Sequence, residues 1–205
     1  MKKESDKKKV KKIIAVLAAI AVLSALILLV IELVPEKKAH REENEQLYFF
    51  YPPDHESNIF ENEEFLKKNR DIKYISSGLS VSYDIEGFSK LGEAQAFLAD
   101  YFSVLWQGDE EALNLMFTDE YFEDNDPYGD ITMQKIYNVS VEDLGSSDMG
   151  NDTTKYYFSL TYMIMENDGT FRRDLDSDAE RPQYLEIISD KNGIKINYID
   201  YYYIY

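Results

Sequence analysis

Three hydrophobic periods follow one another along the chain, and each predicts a different kind of element. From Ile13 to Ile31 every residue is apolar except Ser24, and Leu33 and Val34 carry the run to Pro35. A helix rising about 1.5 Å per residue would cross the hydrocarbon core of a bilayer over this length. A buried helix in a soluble domain would show a polar face, and this run has none. It is longer than the apolar core of a signal peptide and ends Ile31-Glu32-Leu33-Val34-Pro35, without a small-residue cleavage site. Residues 13–34 therefore read as an uncleaved transmembrane signal anchor.

Periodicity disappears between residues 35 and 86, which read as a stalk or linker. Glu36 to Gln46 is almost entirely charged or amide, and Tyr48-Phe49-Phe50-Tyr51-Pro52-Pro53 interrupts it with an aromatic patch that the prolines keep out of a helix. The patch fits an interfacial anchor, a partner-binding strip formed by Tyr48, Phe49, Phe50 and Tyr51, or a segment docked on a neighbouring surface. Docking is the favoured reading, because Tyr and Phe pack wherever a surface allows. Glu61 to Asn69 has the composition of a short helix and Leu79 to Tyr83 that of a short strand, neither long enough to stand alone.

A helical period opens the folded domain at residues 87–205. Ala94, Phe97, Leu98, Tyr101, Phe102 and Leu105 recur at spacings of three and four and predict a helix from about Ser89 to Gln107. Gly108 suits its C-terminal end, and Asp109 the cap of a following helix whose first turn holds Glu110 and Glu111. After Asp130 the period falls to two. Strands are expected over Ile131 to Val141, Tyr156 to Ile164, Tyr184 to Ser189 and Ile194 to Ile204, with a brief return at Thr170 to Arg173 and a turn at Asn192-Gly193. The fold class is α+β: an N-terminal transmembrane helix, a stalk, then helices packed on a curved antiparallel sheet.

Charge adds a direction. The 205 residues hold 22 Lys and Arg against 39 Asp and Glu, a net charge of -17. Seven of the first twelve residues are Lys, while Lys37, Lys38 and Arg41 are the basic residues just past the apolar run. Basic flanks are retained in the cytoplasm, so residues 1–12 form a cytoplasmic tail, the bilayer is contacted through residues 13–34, and the domain lies outside the cell membrane. An acidic domain is a poor match for nucleic acid. The absence of Cys excludes disulfides, thiolate catalysis and Cys-based zinc sites.

Phe97-Leu98-Ala99-Asp100-Tyr101-Phe102, then Gly108-Asp109 and Leu115-Met116-Phe117-Thr118-Asp119-Glu120-Tyr121-Phe122, followed by long strands, resembles the nuclear transport factor 2-like superfamily. The resemblance covers residues 87–205 and implies a cystatin-like α+β cone, in which a curved sheet wraps the first long helix around a pocket. It implies no single function, since the superfamily holds isomerases, dehydratases, transport adaptors and extracytoplasmic domains without chemistry.

An enzyme of that fold would resemble the ketosteroid isomerases, with a pocket carboxylate as base. In a regular hairpin around Asn192-Gly193, Leu185 and Ile187 share a face with Ile194, Ile196, Tyr198, Asp200 and Tyr202, while Glu186 lies opposite with Lys195 and Asn197. Trp106, Tyr198, Asp200 and Tyr202 are thus the candidate ligand-binding residues, and Asp200 the one candidate base. No His falls in the domain, which removes the commonest general base. The acidic runs Asp124 to Asp130, Asp148 to Asp152 and Asp174 to Glu180 lack an EF-hand's ligand order, so solvated turns are expected, with no metal and no cofactor. Seventeen Tyr raise sugar stacking as a role for whichever rings face outward. The expected function is a membrane-anchored extracytoplasmic binding or scaffold domain, partnered by an envelope protein or polymer, without catalysis. The alternative is an isomerase or dehydratase working through Asp200.

Overall fold

The computed structural model describes residues 48–201. The expected basic tail, the 13–34 anchor, the first part of the stalk and Tyr202 lie outside the described residues. Among the described residues no helix is long and apolar enough to cross a membrane.

One compact unit begins at Tyr48. Its elements are a 3-10 turn Ile59–Glu61, α1 (Glu63–Leu66), β1 (Ile72–Ser76), β2 (Leu79–Tyr83), α2 (Ile85–Ser89), α3 (Glu93–Gln107), α4 (Glu110–Leu115), α5 (Tyr121–Asp124), β3 (Ile136–Gly150), β4 (Thr153–Ile164), β5 (Gln183–Asp190) and β6 (Gly193–Tyr201). The fold is α+β, with the six strands in one sheet ordered β2-β1-β3-β4-β5-β6.

Two expectations are corrected here. The sheet is mixed rather than antiparallel, because β1 runs parallel to β3, with Tyr74 beside Val141. And residues 48–86 do not form a separate stalk: Ile59, Phe65 and Ile72 are buried in the same core as the main helix. The β1–β2 hairpin is closed by Ser77-Gly78, whose φ values of 52° and 79° are those of a primed turn. Leu79 to Tyr83 is a strand as expected, whereas β1 is unexpected, because five residues carry too little alternation to announce a partner as distant as β3.

The helical period translates directly. Along α3 the apolar stripe from Ala94 to Leu105 is buried against the sheet, and each such large side chain contributes roughly 1.5–3 kcal/mol by leaving water. Lys90 to Gly92 separates α2 from α3, so the helix expected from Ser89 begins at Glu93. Gly108 ends α3 in the left-handed region at φ 64°, with its N–H donating to Leu105 and that of Asp109 to Val104. The Asp109 side chain then accepts from Ala112 N–H and caps α4.

The four later strands form a meander. Asn151 and Asp152, both at positive φ, turn β3 into β4. Residues 131–135 and 170–173, expected as strand, are not strand. The second of these stretches lies in a long loop held by buried polar side chains. Asn167 donates to the carbonyls of Arg172 and Leu175, while buried Arg172 grips Asp174 through two hydrogen bonds of 2.6 and 2.7 Å and donates to Tyr162 Oη. These bonds fix the loop where no ladder is available.

Candidate binding surface on the sheet

Which side chains face solvent along the last hairpin is decided at one residue. Ile196 pairs with Ile187, but Tyr198 pairs with Glu186, so Asn197 is an extra residue in β6. A bulge of this kind shifts the side-chain alternation by one. Beyond it Ile199 pairs with Leu185 on the core side, and Tyr198 and Asp200 turn to the other face. The expectation that Tyr198 and Asp200 share the inward face is therefore corrected: Tyr198 is 48% exposed and Asp200 is exposed.

Trp106 is buried, and its indole N–H donates to the Ile136 carbonyl at 3.0 Å. With Phe97 and Tyr101 it fills the space between α3 and the sheet, where the resemblance implies a pocket. Trp106 and Asp200 are thus not brought together, and Asp200 does not line an enclosed cavity. Tyr202 lies outside the described residues.

The outward turn at Asn197 assembles a different set. Tyr157 on β4, Tyr184 on β5 and Tyr198 on β6 form a row across three strands. Tyr157 and Tyr184 have ring centroids 6.3 Å apart and planes within 17°, and Tyr184 meets Tyr198 at 6.3 Å and 63°. Glu186 sits among these rings, accepting from Lys155 Nζ at 2.6 Å and from Asn197 Nδ2 at 2.9 Å. Asn197 Oδ1 accepts in turn from Thr118 Oγ1 at 3.1 Å. The carboxylate beside it raises the Lys155 pKa, and partial burial together with Asp200 raises that of Tyr198. The sequence pattern sets Glu186 and Asn197 on the face opposite Leu185, as the structure has them, but sets Tyr198 inward, and the row needs the bulge that turns it out. An extra residue in a strand leaves no mark on the local pattern.

The aromatic strip divides by alternation. Phe49 is 72% exposed and Tyr51 is exposed beside it, their rings edge to face at 5.8 Å. Tyr48 and Phe50 turn the other way, with Phe50 lying over Gly169. The backbone is tied down as well, Tyr51 N–H to Asn167 O at 2.9 Å and Phe49 N–H to Asp176 Oδ1 at 3.1 Å. The strip is docked on the 167–176 loop and presents Phe49 and Tyr51 outward.

Beside it lies a cleft of about 340 Å³ lined by Tyr51, Asp54, Asn62, Gln134 and Asp168 among others. Most of its polar groups hold the fold, although among the described residues Gln134 Oε1 is buried with no hydrogen-bond partner. Asn62 caps α1, Asp54 closes a turn on Ser57 that lowers its pKa, and Asp168 accepts from the hydroxyls of Thr132 and Thr170. The tyrosine row lies on the solvent side of the sheet, with Tyr157 and Tyr184 half-buried and Tyr198 exposed. Among the described residues no group of three or more His, Asp and Glu could hold a metal ion.

Comparison with protein-family models, with curated proteins and with solved structures finds no match to this chain.

Proposed function

We propose that this chain is a single-pass membrane protein whose acidic extracytoplasmic domain binds an uncharged glycan chain of the cell envelope on the Tyr157–Tyr184–Tyr198 row and performs no reaction. The row itself is the observation that carries the reading. Tyrosine rings offer flat apolar faces for the C–H faces of sugars, while Glu186, Asn197 and Lys155 supply hydrogen-bonding groups among them. Lys155 is paired with Glu186 at 2.6 Å among the rings, so the charge nearest them is neutralised, which suits an uncharged ligand.

Anchoring rests on the apolar run 13–34 and the Lys-rich residues before it, and the Cys-free, short-anchored design favours a bacterial envelope. The nuclear transport factor 2-like assignment is part of the same proposal, supported by the long amphipathic α3 followed by a strand meander and departing from the expected pattern in the β1–β2 hairpin ahead of α3.

Affinity electrophoresis of the full-length chain through gels holding neutral polysaccharides tests the binding. Retardation should fall at least tenfold in Y184A, the central ring, and be unchanged in Y51A on the docked strip. Equal retardation of wild type and Y184A, or measurable cleavage or rearrangement of the polymer, overturns the reading. Protease added to spheroplasts tests the topology. It should digest the domain and spare the Lys-rich tail, whereas protection of a C-terminal tag until the membrane is opened contradicts it.

A further inference from the structure

We propose that β2 is a self-association edge: two copies of this chain join through antiparallel pairing of β2 with β2 about a two-fold axis at Val81. The sheet has two ends, and they are treated differently. At β6 the edge is covered, since Thr118 N–H donates to Ile196 O at 3.0 Å and Ile196 N–H donates to Met116 O at 2.8 Å. At β2, among the described residues, no further strand follows.

An open edge is a template for another strand, and proteins guard such edges with Lys, Pro, bulges or inward charges. Strand β2 reads Leu79-Ser80-Val81-Ser82-Tyr83 and carries none of these, although 30% of the chain is charged. Its register with β1 is unbroken over all five pairs, from Ser76 beside Leu79 to Ile72 beside Tyr83. Leu79 is 73% exposed and Val81 48%, an apolar stripe left open at the end of the sheet.

The sequence of β2 also selects the occupant. Antiparallel pairing about Val81 sets Leu79 opposite Tyr83, Ser80 opposite Ser82 and Val81 opposite its own copy. Every apolar residue then meets an apolar one and every Ser meets a Ser. A slip of one residue would set apolar side chains against Ser, and a slip of two would pair three residues of β2 in place of five, so the register about Val81 is the one that pairs the whole strand. A strand that matches itself in the antiparallel sense builds an isologous, closed dimer. Such a dimer joins the two sheets at the end away from β4, β5 and β6, and so leaves both tyrosine rows uncovered.

The absence of Cys makes the test direct, because V81C introduces the only thiol. Directly opposed residues of an antiparallel pair have Cβ atoms about 4.5–5.5 Å apart, close to the separation a disulfide requires. The full-length chain in detergent, treated with a copper oxidant, should give disulfide dimer at least tenfold faster in V81C than in L115C, whose position is 68% exposed on α4. Mixing S80C with S82C should cross-link, while either alone should do so poorly, since only the mixture places the two thiols opposite each other. V81K, which sets two ammonium groups face to face, should shift sedimentation from dimer to monomer with circular dichroism unchanged. Cross-linking of V81C no faster than of L115C, or no gain from mixing S80C with S82C, overturns the proposal. Neither outcome depends on whether a glycan binds.

Discussion

Gly108 combines two constraints that no other residue type meets. Its φ of 64° lies in the left-handed region, and a Cβ there would stand 2.7 Å from Met133 N and 2.7 Å from the Thr132 carbonyl carbon, both backbone atoms that cannot swing away. Gly108→Ala should cost on the order of 2–4 kcal/mol, combining the conformational penalty with overpacking, read as a lowered urea midpoint. Arg172 is the polar counterpart, buried and holding Asp174 and Tyr162 Oη. Arg172→Ala should cost about 3 kcal/mol, because it removes two charge-assisted hydrogen bonds from a partly buried carboxylate, which keeps the longer ion pair with Arg181 at 3.3 Å, and frees the loop. Two tyrosines contribute to the alkaline limit alongside others, fully buried Tyr162 among them, that burial also pushes up. Burial and then the hydrogen bond to Asp178 push Tyr137 up to about 12, and the hydrogen bond to Glu93 and then burial push Tyr156 up to about 12. A pKa raised above the ordinary tyrosine value of 10 means that the folded state holds protons the unfolded state has released. This stabilisation is complete below about pH 10 and is lost as pH rises towards about 12. Thermal melts at increasing pH should show that loss, and Y137F together with Y156F should lessen it.

Strand β6 is the element whose outcome turns on a single insertion. With Asn197 in place, Ile199 faces the core and Tyr198 faces solvent; without it, the two exchange faces. Deleting Asn197 should therefore lower the melting temperature and abolish polysaccharide retardation together, whereas Asn197→Ala, which keeps the extra residue, should retain most of the melting temperature and lose retardation only in part. A deletion protein that still binds with wild-type stability would show that the bulge does not set the facing. The 48–51 strip behaves like a short edge strand without a partner strand, one face down and one face up. Phe50→Ser should loosen it and speed proteolysis near Pro52, while Phe49→Ser, at an exposed position, should leave both proteolysis and melting within about 0.5 kcal/mol of wild type.

At the scale of the whole molecule, one face of the sheet packs against α3, and among the described residues the other carries no long helix. The row of rings lies on that second face towards the β6 end, and the unguarded edge lies at β2. Two copies joined at β2 would display two rows, so a polymer long enough to span them would be held far more tightly than by one copy. Retardation in polysaccharide gels should accordingly fall in V81K even though Val81 is distant from the rings. For short oligosaccharides, which reach one row only, V81K and wild type should bind alike.

Much of the domain was legible without coordinates, because the signals are local. The stripe from Ala94 to Leu105 is a periodicity within one helix, and Gly108-Asp109 is a stop and a start written in adjacent residues. The meander from β3 to β6 is announced by alternation and by turn residues at Asn151-Asp152 and before Gly193. The choices that make the candidate surface are of another kind. Whether Leu79–Tyr83 joins a sheet, whether β1 runs parallel to β3, and whether Tyr198 looks in or out each depend on partners far along the chain or on one unpaired residue. The sequence by itself determined which segments coil and which extend, since a helix or strand is stabilised first by neighbours a few positions away. Only the tertiary structure decided which faces are buried, because burial belongs to the pairing register, and a register can shift by one residue without changing any local propensity.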